Sequence, residues 1–165
     1  VLGQALTLCL APEPNILDDV LQARIAIECQ AIRLACLRAS ERDLQAIAAL
    51  LDTLVDSLDD PETGGGVDYA FHLAIVRASG SSALMKIYEA ISPLLMRSHV
   101  ERRRDTFREP AITSGLVEAH RQVFLALAQR DPDEAERRLR AHFEIGDELR
   151  RKNLISTYQE QGKAS

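Results

Sequence analysis

The chain has 165 residues, 46% of them hydrophobic, a net charge of −5 and three cysteines. That suffices for one domain with a substantial core, and no apolar run nears the ~20 residues that cross a bilayer. The acidic balance argues against a chain that grips nucleic acid by itself. Cys9, Cys29 and Cys36 form no CxxC pair and read as reduced, small core residues of a cytoplasmic protein.

Residues 1–14, "VLGQALTLCLAPEP", lack the basic start of a signal peptide and read as an extended, proline-bounded lead-in. The first residue is Val1, so the chain reads as a fragment with a domain missing before it. The spacing predicts a first helix from Asn15 to Ala39. A second runs to Leu58, started by a capping signal of Ser40 with Asp43. "DDPETGGG", Asp59 to Gly66, reads as a flexible loop. A third helix spans Val67 to Ser79 and stops at Gly80. The fourth is expected from Ser82 to Phe107, bent at Pro93, with the acid-flanked run "ERRRD" as a solvated face. "REPAITSG" separates it from a fifth helix, Leu116 to Arg130. Asp131 as cap and Pro132 at the first helical position begin a sixth, reaching Ile155. Residues 156–165 read as a frayed polar tail. Short connections between long helices make the expected fold all-α, an antiparallel bundle of about six helices over residues 15–155. Neither a phosphate-binding glycine loop nor a serine elbow occurs.

Polar residues on apolar faces carry the functional reading. In "DYAFHLAIVRASG", Asp68 and His72 stand one helical turn apart on a segment greasy on nearly every side. His120 and His142 each lie eleven residues from Asp131, one on either side of its turn. If those helices fold back on each other, both imidazoles reach the same height. A lone core histidine is usually just hydrogen-bonded, and Asp68 with His72 alone could be a local ion pair. Burying several polar groups without strong partners costs ~1–3 kcal/mol each, however, and a divalent transition metal would satisfy all four together. Bundle interiors are where facing helices build such sites, so an internal metal and ligand cavity is expected. His99, beside "RSHVERRR", has no comparable companion and reads as structural or exposed. Arg24 falls in the apolar stripe of Leu17, Val20, Ile27, Ala31 and Ala35, with Glu28 one turn on. Two readings stand: an internal Arg24–Glu28 salt bridge, or a guanidinium fork for a carboxylate ligand. A metal with open positions plus an arginine would hold a small organic acid.

Three stretches, "LQARIAIECQAIRLAC", "DYAFHLAIVRASG" and "EAHRQVFLALAQRDPDEAERRLRAHF", together resemble the FadR-type C-terminal effector domain (FCD) of GntR-family bacterial transcription regulators. The resemblance covers about Ile16 to Ile155. It implies an antiparallel all-α bundle whose metal-binding members use one Asp and three His, a pattern that falls on Asp68, His72, His120 and His142. It also implies a homodimer that binds operator DNA through an N-terminal winged helix-turn-helix, to which residues 1–14 would be the linker. The implied effectors are small carboxylates: hydroxy acids such as lactate or glycolate, or sugar acids. "ILDDVLQARIAIE" is similar to the lactate- and glycolate-responsive branch. Arg24 matches a family arginine that faces the cavity, and Arg97 matches a second. Ser81 departs from the Asn that often follows "ASG". Three nitrogens and a carboxylate suit Zn2+ first, with Ni2+, Mn2+ and Fe2+ also suited. The expected function is thus a ligand-gated regulator with no catalytic residues. The alternative is a metal-dependent helical hydrolase or lyase, against which stands the lack of a spare general base beyond Glu28 and Glu118.

Overall fold

The structure is a computed structural model that describes Gly3, Cys9, residues 16–106 and residues 110–146. From residue 16 onward the described residues form seven helices and no strand. They are α1 (Ile16–Arg38), α2 (Glu41–Asp56), α3 (Pro61–Ala78), α4 (Ser82–Ala90), α5 (Ser92–Thr106), α6 (Pro110–Ala128) and α7 (132–146). The all-α expectation holds. Of the expected extended lead-in only Gly3 and Cys9 are described, and both are helical. The expected end of the last helix and the tail lie outside the described residues.

Caps fix the starts of several helices as the sequence indicates. Ser40 and Asp43 form a reciprocal capping box: Asp43 N–H donates to Ser40 Oγ at 3.2 Å and Ser40 N–H to Asp43 Oδ2 at 2.9 Å. Asp131 Oδ1 accepts from the Asp133 and Glu134 amides at 3.2 and 3.0 Å, starting α7. Arg130, at φ 58°, reverses the chain between α6 and α7. Its guanidinium donates to the Cys36 and Ala39 carbonyls at 3.1 and 2.9 Å, tying this turn to the end of α1.

Three expectations about boundaries fail, each for a physical reason. "DDPETGGG" is not a loop: Asp60 caps the helix by accepting from the Glu62 amide at 3.1 Å, Pro61 sits at the first position, and α3 runs through the glycines. The cost of glycine in a helix is offset here by close approach to α5. A Cβ at Gly65 would lie 2.8 Å from the Val100 Cα, and one at Gly64 2.8 Å from Arg103 Nε. The expected fourth helix is two, because the chain breaks at Ile91 and Pro93, lacking an N–H, belongs to the opening turn of α5. The fifth begins at Pro110, so most of "REPAITSG" is helical.

Helix α3 is central and packs against α1, α2, α4 and α5. On one side lies a core of Ile32, Ile47, Leu54, Phe71, Ile75, Leu127 and Leu139. On the other lies a second core of Val20, Val76, Tyr88, Leu94 and Leu95. Cys29 and Cys36 are buried free thiols, as expected; Cys9 is free but exposed, so it is not a core residue. Among the described residues no helix is long and apolar enough to cross a membrane.

Candidate metal centre

Between the two cores α1, α3, α5, α6 and α7 bring a polar cluster together. His72 faces inward from α3, fully buried, with Asp68 one turn before it. The α6–α7 hairpin puts the His120 and His142 rings 4.1 Å apart, so equal distance from the turn does place them at one height. One donor atom from each of Asp68, His72, His120 and His142 lies within 4.8 Å of the others. Asp68 Oδ1 is the hub, 3.2 Å from His72 Nε2 and 3.1 Å from His120 Nε2.

Outer partners orient these rings. His120 Nδ1 donates to the Leu116 carbonyl at 2.7 Å, which leaves Nε2 toward Asp68. His72 Nδ1 donates to Glu28 Oε2 at 2.6 Å, which fixes its tautomer and frees Nε2. Glu28 Oε1 also accepts from Arg24 Nε and from the Tyr88 hydroxyl, each at 2.7 Å. Burial alone raises the Glu28 carboxyl, but Arg24, His72 and Tyr88 outweigh it and hold the group down at about 2. The Arg24–Glu28 salt bridge is therefore present. It leaves Arg24 Nη2 buried and without a hydrogen-bond partner, and the Arg24 Cζ stands 4.7 Å over the Phe143 ring.

The inner edge of the cluster is unsatisfied. His72 Nε2 and His142 Nδ1 are buried with no hydrogen-bond partner. Burial, reinforced by the neighbouring His120 and His72, pushes His142 well below the usual imidazole range, so it stays neutral. Burial opposes ionisation of Asp68, yet His99 and His120 outweigh it and keep the carboxyl well below its usual value. The unpartnered His72 Nε2 and His142 Nδ1, with His120 Nε2 and an ionised carboxylate, form a donor set that fits a divalent transition metal.

A small pocket reaches this cluster, lined by Arg24, Asp68, His99, Arg102, His142 and Phe143 among others. Arg97 does not line it, contrary to the reading of that residue as effector-binding: its side chain is 59% exposed and pairs with Glu101 at 2.8 Å. Two residues along α5 turn a side chain by roughly 200°, so His99 faces inward where Arg97 faces out. "ERRRD" is likewise not simply a solvated face. Arg103 is buried, and Arg102 donates to the Phe143 carbonyl at 3.4 Å. His99, read as structural or exposed, is buried with Nδ1 3.3 Å from Asp68 Oδ1. Its one advance signal is Leu95, a turn earlier on the same buried face.

The family model described as "FCD domain" matches residues 19–145. The chain belongs to the FCD family. This FCD domain is 30% identical over 139 residues to a putative L-lactate dehydrogenase operon regulatory protein of Escherichia coli, covering 84% of the chain and 53% of the relative. It is 28% identical to the HTH-type transcriptional regulator LutR of Bacillus subtilis, over 86% of the chain and 65% of the relative. With the Glc operon transcriptional activator of Escherichia coli the identity is 24%, over 79% and 53%. The domain spans about half the length of the first of these relatives. In fold it resembles E. coli McbR/YncC, with a TM-score of 0.66 at 22% identity over 89% of the chain and 70% of that structure. Family membership, with relatives named as regulators, points to a non-enzyme.

Proposed function

We propose that this FCD domain is the effector-sensing and dimerisation part of a GntR-family transcription regulator in the cytoplasm. In this reading Asp68, His72, His120 and His142 hold a divalent cation, Zn2+ before Ni2+, Mn2+ or Fe2+, and Arg24 pairs with a small carboxylate effector. The observation that carries it is the set of four donor atoms within 4.8 Å, beside an arginine with an unused buried N–H donor. The cation supplies a positive centre for effector oxygens. The chain's own residues do the rest: Glu28 orients His72, Leu116 orients His120, and Phe143 supports the Arg24 guanidinium.

The name of one relative, which mentions an L-lactate dehydrogenase operon, favours a hydroxy acid such as lactate or its shorter homologue glycolate, with sugar acids the wider class. Operator DNA would be contacted by a winged helix-turn-helix outside this chain. The effector then changes operator affinity only as far as it binds the DNA-competent and DNA-incompetent arrangements differently. Against the rival hydrolase or lyase, its two candidate bases are both engaged: Glu28 is committed to three partners, and exposed Glu118 accepts from Gln122 Nε2.

Elemental analysis and calorimetry test the reading. The chain should hold one divalent ion, and the loaded form should bind L-lactate, glycolate or a sugar acid. His120→Ala and His142→Ala should lose the ion, and Arg24→Ala should lose the acid while keeping the ion. An ion-free chain, or His variants that bind the acids as the parent does, would sink the proposal.

A further inference from the structure

His99 lines the same pocket as Arg24 and is only 2% exposed. Its Nδ1 faces Asp68 Oδ1 at 3.3 Å. An ionised carboxylate only accepts hydrogen bonds, so Nδ1 carries the proton and Nε2 carries a lone pair. That Nε2 is buried and has no hydrogen-bond partner. Two residues that line the pocket thus carry one unused donor, Arg24 Nη2, and one unused acceptor, His99 Nε2. A simple carboxylate can use only the donor. A small acid that also carries a hydroxyl can use both.

We propose that His99 Nε2 accepts a hydrogen bond from the 2-hydroxyl of an acid whose carboxylate pairs with Arg24, so that His99 selects 2-hydroxy acids against 2-oxo acids. This rests on the effector-sensing reading above. A 2-oxo acid has the same size, charge and chelating geometry, but it turns an oxygen lone pair toward the Nε2 lone pair. One buried acceptor left without its donor weakens binding by about tenfold or more. The size of the acid is not what His99 reads; the hydrogen on the 2-oxygen is.

The test compares L-lactate with pyruvate by calorimetry on the metal-loaded chain. The parent is expected to bind L-lactate about tenfold or more tightly than pyruvate. His99→Phe and His99→Leu, two independent replacements in case one misfolds, should bring the two affinities together by weakening L-lactate alone, with metal content unchanged. His99→Gln, whose amide oxygen can accept, should restore part of the preference. Equal weakening of both acids, or loss of the metal in these variants, would show that the ring only positions Asp68 and would overturn the proposal. A parent that binds both acids alike overturns it too while leaving the sensor reading intact. A parent that binds neither overturns both.

Discussion

The two buried carboxylates, Glu28 on α1 and Asp68 on α3, sit in opposite kinds of surroundings. Glu28 is fully served: Arg24, His72 and Tyr88 all donate to it, and nothing more is needed to complete its shell. Around Asp68 three imidazoles crowd one oxygen at 3.1–3.3 Å, and nitrogens on His72, His99 and His142 remain without hydrogen-bond partners. The contrast separates scaffold from receptor. A closed network stabilises the fold whether or not anything binds, whereas an open one is costly until a ligand completes it.

Substitutions on the two sides should therefore differ in kind. Glu28→Ala should cost about 3–5 kcal/mol of stability in the metal-free chain, because it strands the Arg24 charge. Urea denaturation of the apo form reads this directly, and a loss below about 1 kcal/mol would erase the distinction. The next largest effect is on pH. Burial and Arg24 push His99 down to about 4 from an ordinary 6.5, so as pH falls the unfolded chain takes the proton first. Stability is then full above pH 6.5 and declines down to about 4, by about 3 kcal/mol for this ring, with His142 adding in the same direction. Denaturation across that window should show the decline, and His99→Phe should remove the share that His99 contributes and leave that of His142.

On the open side, His142→Leu should leave metal-free stability equal or improved, since it removes an unpartnered buried nitrogen, while weakening metal at least ~100-fold, more than loss of an outer partner costs. Chelator competition and apo denaturation, run together, decide it; parallel losses in both would merge the two regions into one. The smallest change is Tyr88→Phe, which deletes one of three donors to Glu28. It should cost about 1 kcal/mol and leave metal affinity nearly untouched.

Legibility in the sequence followed the range of the interactions. Asp68 and His72 are one turn apart on a single helix, and His120 and His142 flank a turn with its own cap, so local spacing was enough to pair them. Arg24 with Glu28 was readable for the same reason. What spacing could not reveal was contact between distant segments: Glu28 reaching His72 across 44 positions, or His99 meeting Asp68 from α5. The basic residues after His99 also masked its inward face, and Arg97, which faces outward on the same helix, was suggested by the resemblance alone. Glycine misled differently. "GGG" reads as a breaker when considered alone, and only the presence of α5 against it makes a helix there sensible.

That tight seam between α3 and α5 has a mechanical consequence. Where Gly65 lets two backbones touch, neither rod can slide without a collision against Val100. Asp68, His72 and His99 all ride on this welded pair, so the seam fixes their positions relative to one another. His120 and His142 come instead from the α6–α7 hairpin, whose turn at Arg130 is tied to the end of α1.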